Sequence, residues 1–244
     1  REVEASGRVT ALDERALCDG VALEFADEPA LAHDQDAVAR PDELGELLAA
    51  RPRSSLVVLH QQGSHGPAYF RRYPPEFGQF TPACATDALL GCSREEIRNA
   101  YDNTILYTDH VLSRLIDLLD AQQDRYDSAM LYVSDHGESL GENGLYLHGM
   151  PYRIAPEAQT HVPMIYWMSS GFIEDQGLST SCVKATTATT LSHDNLFASV
   201  LGLLDIRTRI YQPERDMFAE CRGRTLIAGP NAKPPAVSFT GTEG

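Results

Sequence analysis

The sequence predicts an α/β fold: a doubly wound, mainly parallel sheet with helices on both faces. Three observations carry that expectation. Short apolar, β-branched runs recur at "SSLVVLH" (54–60), "AMLYVS" (129–134) and "VPMIYWM" (162–168), the pattern of buried strands. Helical periodicity occupies the stretch between the first two and the stretch after the third, giving strand, long helix, strand, loop, strand, helix. Polar, glycine-rich clusters follow the first two strands directly, and open α/β sheets carry their sites at the carboxyl ends of strands.

Along the chain, residues 1–40 are acid-rich and show little periodicity. "RPDELGELLAARP" (40–52) reads as a short helix with Leu44, Leu47 and Leu48 on one face and Pro52 as its stop. The strand at 54–60 runs into "QQGSHGPAYFRRYPPEF", where glycines and prolines exclude regular structure. Ser93 opens the clearest helix, to about Gln122, and Glu96 three residues on completes a capping-box pattern. Its stripe is Ile97, Tyr101, Ile105, Thr108, Val111, Leu112, Leu115, Ile116 and Leu119. "SHDNLFASVLGLL" (192–204) starts a last helix with Ser192 or Asp194 as cap, and 225–244 reads as a flexible tail.

The 244 residues suffice for one large α/β domain or two small ones. Hydrophobic residues at 43% and charged residues at 23% exclude wholesale disorder. A net charge of −15 argues against nucleic acid as a partner. It leaves anionic substrates open, because charge is screened beyond about 8 Å and local residues decide. No apolar run approaches the roughly 20 residues of a membrane span, and no signal peptide opens the chain. The five cysteines fit an oxidising compartment, with Cys84 and Cys92 closing a short loop, Cys182 and Cys221 able to pair, and Cys18 left over. Five reduced thiols in a cytosolic protein are the alternative.

The chemistry concentrates in "LYVSDHGESLGENGLYLHG" (131–149). Neighbours in an extended strand face opposite ways, so Asp135 and His136 can share a ligand only where the strand ends and Gly137 lets the chain turn. Zinc accepts this mixture of imidazole and carboxylate, with three or four protein ligands. His65 and His148, each beside a glycine, are the natural further members. Against this stands a plainer reading, with Asp135 capping a turn and His148 a satisfied loop histidine. His33, His60, His110 and His161 lack such surroundings and read as structural. The spacing of Cys84 and Cys92 is too wide for a zinc CxxC pair, which favours a bridge. "GESLGENG" lacks the Gly-Lys-Ser/Thr ending of a phosphate loop, and Ser64 in "GSHGP" lacks the nucleophile-elbow pattern.

The strings "GSHGPAYFRRYP", "YDNTILYTDHVL", "YVSDHGESLGENGLYLHGMPY", "APEAQTHVPMIYW" and "SHDNLF" resemble the lipid A phosphoethanolamine transferases, the colistin- and polymyxin-resistance type within the alkaline phosphatase superfamily. The likeness runs from about Leu17 to Arg222. It implies an alkaline phosphatase/sulfatase-like fold and a zinc-dependent transfer on the periplasmic side of the bacterial inner membrane. In that reaction a threonine attacks phosphatidylethanolamine and passes phosphoethanolamine to a lipid A phosphate. By matching motifs, Asp135 and His136 correspond to zinc ligands. His65 and His148 correspond to histidines around the phosphoryl group or a second zinc, and Glu138 to an acid near the same centre. Arg71 and Arg72 are candidates to neutralise phosphate, and Cys84–Cys92 matches a family disulfide. The family's nucleophilic threonine, a glutamate ligand and the membrane helices lie upstream of the matched region. "VALEFADE" also lacks the partner expected for Cys18. The resemblance therefore implies residues 1–224 as a partial catalytic domain, incomplete at the N-terminus and inactive alone. A phosphatase or sulfatase-type hydrolase, or a nonenzymatic module binding metal or head groups, are the competing expectations.

Overall fold

The computed structural model describes residues 18–23 and 56–223; the expected helix at 40–52 and the tail at 225–244 lie outside the described residues. Two compact units divide the chain, one up to Ser169 and one from Ser170.

In the first unit, β1 (Cys18–Leu23) pairs antiparallel with β2 (Leu56–Gln61), Cys18 opposite Gln61 and Leu23 opposite Leu56. A long loop with three 3-10 turns leads to α1 (Arg94–Asp120). Next come β3 (Ala129–Val133), a hairpin of β4 (Ser139–Leu140) and β5 (Tyr146–Leu147), the four-residue α2 (Glu157–Thr160) and β6 (Met164–Met168). Strands β3 and β6 pair antiparallel from Ala129–Met168 to Val133–Met164.

Strands β2, β3 and β6 fall where the sequence reading puts them, β1, β4 and β5 were not expected, and the strand direction differs from the reading. Every strand pair among the described residues is antiparallel, in place of the expected mainly parallel, doubly wound sheet. The reason lies between β3 and β6. A parallel return needs a crossover, usually a helix, whereas residues 134–163 form turns, a hairpin and one helical turn. The chain simply reverses there.

Helix α1 starts where the capping box puts it. The Ser93 hydroxyl accepts from the Glu96 N–H at 3.2 Å, and the Glu96 carboxylate accepts from the Ser93 N–H at 2.7 Å. Ile97, Thr108 and Val111 of the expected stripe are buried, but Ile105 is 46% exposed and the inward face also carries Asn103 and Thr104. The loop packed against the helix has no ladder to satisfy its backbone, and Asn103 does so instead. Its Oδ1 accepts from the Phe80 N–H at 2.8 Å, while Nδ2 donates to the Phe80 carbonyl at 3.1 Å and the Tyr73 hydroxyl at 3.2 Å. Asn103→Leu should therefore lower stability by about 1–3 kcal/mol despite its greater apolarity, because the part-buried Phe80 N–H and carbonyl lose their partner. A urea titration that matched the unchanged protein would refute this account of Asn103.

The core between loop and helix comprises Tyr69, Cys84, Leu89, Ile97 and Ala100, with Cys92, Leu140 and Leu147 packed against it. The expected Cys84–Cys92 disulfide is present, with Cα atoms 5.8 Å apart. The second unit holds α3 (Ser170–Asp175), α4 (Thr180–Ala185) and α5 (Asp194–Leu203). Cys182 and Cys221 bridge α4 to a 3-10 turn at Ala219–Cys221, Cα atoms 5.3 Å apart. Ahead of α5, the Ser192 hydroxyl accepts from the Asp194 N–H at 3.3 Å.

A three-histidine candidate metal centre

The site is assembled at the ends of β2 and β3. Where β3 stops, the Ser134 hydroxyl donates to the His136 carbonyl at 2.8 Å, and the Gly137 N–H donates to the Gln159 carbonyl at 3.1 Å. The resulting turn brings the Asp135 and His136 side chains near one another. Asp135 Oδ1 accepts from the His136 N–H at 3.0 Å, and its Oδ2 lies 3.8 Å from His136 Nε2. Gly137 is needed for its size: a Cβ there would stand 2.0 Å from the Ala158 carbonyl oxygen. The β4–β5 hairpin, turned by Gly141 at φ +110°, then returns the chain so that His148 faces His136. Leu147, just before His148, has φ +64°. A non-glycine residue in that region is strained, and such strain clusters at functional sites.

His65, His136 and His148 come together, each offering a ligand atom within 4.8 Å of the others. The His136 and His148 rings stack at 3.9 Å between centroids, and His65 lies 4.8 Å from His148 and 5.8 Å from His136. All three Nδ1 atoms face acceptors: His65 the Gly66 carbonyl at 2.8 Å, His136 the Gly137 carbonyl at 3.1 Å, and His148 the Glu138 carboxylate. An acceptor at Nδ1 fixes the proton there and leaves the Nε2 lone pair as the coordinating atom. Three imidazoles in that tautomer are a donor set for a transition metal.

Asp135 stands beside this group, its side chain 80% exposed. Glu138 is buried and touches His148 on one oxygen; on the other it accepts from the Tyr69 hydroxyl at 2.5 Å. Burial first, and then the Glu138 carboxylate, push the Tyr69 phenol far above the ordinary range. Arg72 reaches the site from behind, its Nε donating to the His65 carbonyl at 3.1 Å and its Nη1 to Gln62. Burial, then the charge of Arg71, lower the pKa of Arg72. Arg71 instead lies exposed over the Phe70 ring, 5.2 Å from its centroid.

Sequence reasoning missed Tyr69 and Gln159. Buried Gln159 donates to the Ser139 hydroxyl at 2.8 Å and accepts from the Met150 N–H at 3.3 Å, tying both ends of the hairpin region together. Both residues sit inside the quoted motif strings, but nothing in their type or spacing marks them as polar partners of the site.

The sulfatase family model matches residues 18–206. The chain belongs to the sulfatase family. Among family relatives, the phosphoethanolamine transferase EptA of Salmonella typhimurium is 47% identical over 168 residues, covering 68% of this chain and 31% of that protein. The chain thus spans about a third of that curated relative's length. The soluble domain of lipooligosaccharide phosphoethanolamine transferase A from Neisseria meningitidis superposes with a TM-score of 0.70 at 41% identity, over 75% of this chain and 55% of that one. The integral membrane form of the same Neisseria meningitidis transferase gives 0.69 at 42% identity, over 74% of this chain and 34% of that one. The fold is therefore sulfatase- and alkaline phosphatase-like, and the resemblance to phosphoethanolamine transferases holds over most of the chain. Among the described residues no helix is long and apolar enough to cross a membrane.

Proposed function

We infer that this chain is catalytic-domain sequence of a zinc-dependent transferase moving phosphoethanolamine from phosphatidylethanolamine to a lipid A phosphate. The observation that carries the reading is the convergence of His65, His136 and His148 with every Nδ1 held by an acceptor. The names and identities of the family relatives supply the phosphoethanolamine substrate class, and the integral membrane relative supports a membrane-anchored setting.

The donor set fits zinc. His65, His136 and His148 would hold the ion, with Asp135 as the adjoining carboxylate. A bound zinc supplies Lewis-acid stabilisation of phosphoryl oxygens and lowers the pKa of a hydroxyl it binds. The chain's own contributions are positional. Glu138 fixes the ring of His148, and the Gly66 and Gly137 carbonyls fix His65 and His136. Arg72 holds the His65 backbone from behind.

The test is an exchange. Residues 18–206 of this chain, replacing the matching region of Salmonella typhimurium EptA, should yield lipid A carrying phosphoethanolamine, read by mass spectrometry. The isolated 244-residue chain, incubated with zinc and phosphatidylethanolamine, should form no covalent adduct on Ser or Thr. A folded, zinc-loaded exchange protein that left lipid A unmodified would sink the transferase reading and favour a hydrolase or a binding module.

A further inference from the structure

We propose that Tyr69 is a positioning residue of the centre: its hydroxyl, through Glu138, sets the orientation and tautomer of His148. The proposal rests on the reading of the three histidines as metal ligands, and it carries that reading one shell outward.

The geometry is a chain of two hydrogen bonds across the loop and the hairpin. Tyr69 is 1% exposed, so its hydroxyl must find an acceptor inside the protein, and it donates to Glu138 Oε2 at 2.5 Å. That bond anchors one oxygen of a buried carboxylate and turns the other toward His148 Nδ1. A carboxylate behind a ligating imidazole orients the ring, fixes the proton on the far nitrogen and raises ligand basicity.

Gly66 adds a second link. A Cβ on Gly66 would stand 2.7 Å from the Tyr69 hydroxyl and 2.8 Å from Glu138 Oε2, so the backbone lies directly against this bond. The carbonyl of the same Gly66 holds His65 Nδ1. One phenol–carboxylate contact thus backs two of the three histidines. Tyr69 is itself fixed by the core it shares with Cys84, Leu89 and Ile97, and by an edge-on contact with Tyr101 at 5.6 Å. The site is thereby tied to packing far from solvent.

The experiment reads the histidine before any metal is added. In the metal-free protein at about pH 8, above the ordinary histidine range, 15N NMR should find the His148 proton on Nδ1. Tyr69→Phe should give a mixture of tautomers and weaken zinc binding about tenfold in chelator competition. Tyr211→Phe is the matched control: it also removes a buried phenol–carboxylate bond, to Asp216 at 2.7 Å, and should leave His148 and zinc affinity unchanged. Glu138→Gln gives an independent reading. If Tyr69 directs the group, the amide oxygen faces Tyr69, the amide N–H₂ faces His148, and the proton moves to Nε2. A folded Tyr69→Phe protein with the His148 proton still on Nδ1 and zinc affinity within about twofold overturns the proposal. Should that variant not fold, Glu138→Gln with the proton still on Nδ1 overturns it. Failure of the unchanged protein to bind zinc would defeat the metal reading alone, since the tautomer is measured without metal.

Discussion

Asp216→Ala should cost the C-terminal unit about 3–5 kcal/mol, the range for leaving one member of a buried ion pair alone. Asp216 and Arg222 are paired with side chains 0% and 1% exposed. The same carboxylate accepts from the Tyr211 hydroxyl at 2.7 Å and from the Phe218 N–H at 2.9 Å. Arg222 Nε and Nη2 have no hydrogen-bond partner among the described residues, and Asp216 is the anionic partner that offsets the cost of burying that charge. Helix α5 approaches so closely only because residue 202 is glycine: a Cβ there would stand 2.1 Å from Asp216 Oδ2. The measurement is hydrogen exchange of the amides of 211–222 across a urea series. The double variant Asp216→Ala, Arg222→Met should recover much of the loss, since it buries no unpaired charge. If the single variant were as stable as the unchanged protein, the pair would have no structural weight. If the double variant were worse than the single, the cost would come from packing and not from charge.

None of that cluster was legible in the sequence. Asp216, Tyr211 and Arg222 are ordinary residues in a stretch without periodicity, and only tertiary folding brings them into one buried network. The same holds for Asn103, which looks like a polar interruption of an apolar stripe until the loop backbone it satisfies is seen. What could be read was local. Ser93 and Glu96 announce the start of α1 because a capping box closes within four residues. Asp135-His136-Gly137 announces a turn because the apolar run ends and a glycine follows. The strand directions were not legible, because hydrophobic runs look the same in either direction and the return path through 134–163 decides. His65, His136 and His148 could be nominated by residue type and neighbouring glycines, but the backing of His148 by Glu138, and of Glu138 by Tyr69, joins residues 10 and 69 apart in sequence. Local signals predicted local structure, and buried polar partners required the fold.

The sharpest test of how the centre is built is Gly137→Ala, which should weaken zinc binding about a hundredfold, the upper end for losing the groups that orient a ligand. The added methyl carbon would stand 2.0 Å from the Ala158 carbonyl oxygen and 3.3 Å from Gln159 Cα. Both neighbours are backbone, so no side chain can rotate away and the turn itself must shift. That turn carries the 3.1 Å bond from the Gly137 N–H to the Gln159 carbonyl, and its own carbonyl holds His136 Nδ1. Moving it by about 1 Å misplaces His136, and displacements of that size cost about a hundredfold where geometry is exacting. Gly91→Ala is the contrast: nothing lies within 4 Å of a Cβ there, so stability and zinc affinity should both stay as they are. Chelator competition on the two folded variants measures the difference directly. Unchanged zinc affinity in Gly137→Ala would mean that His136 is not held by this turn, and the three-histidine centre would lose the element that links it to β3.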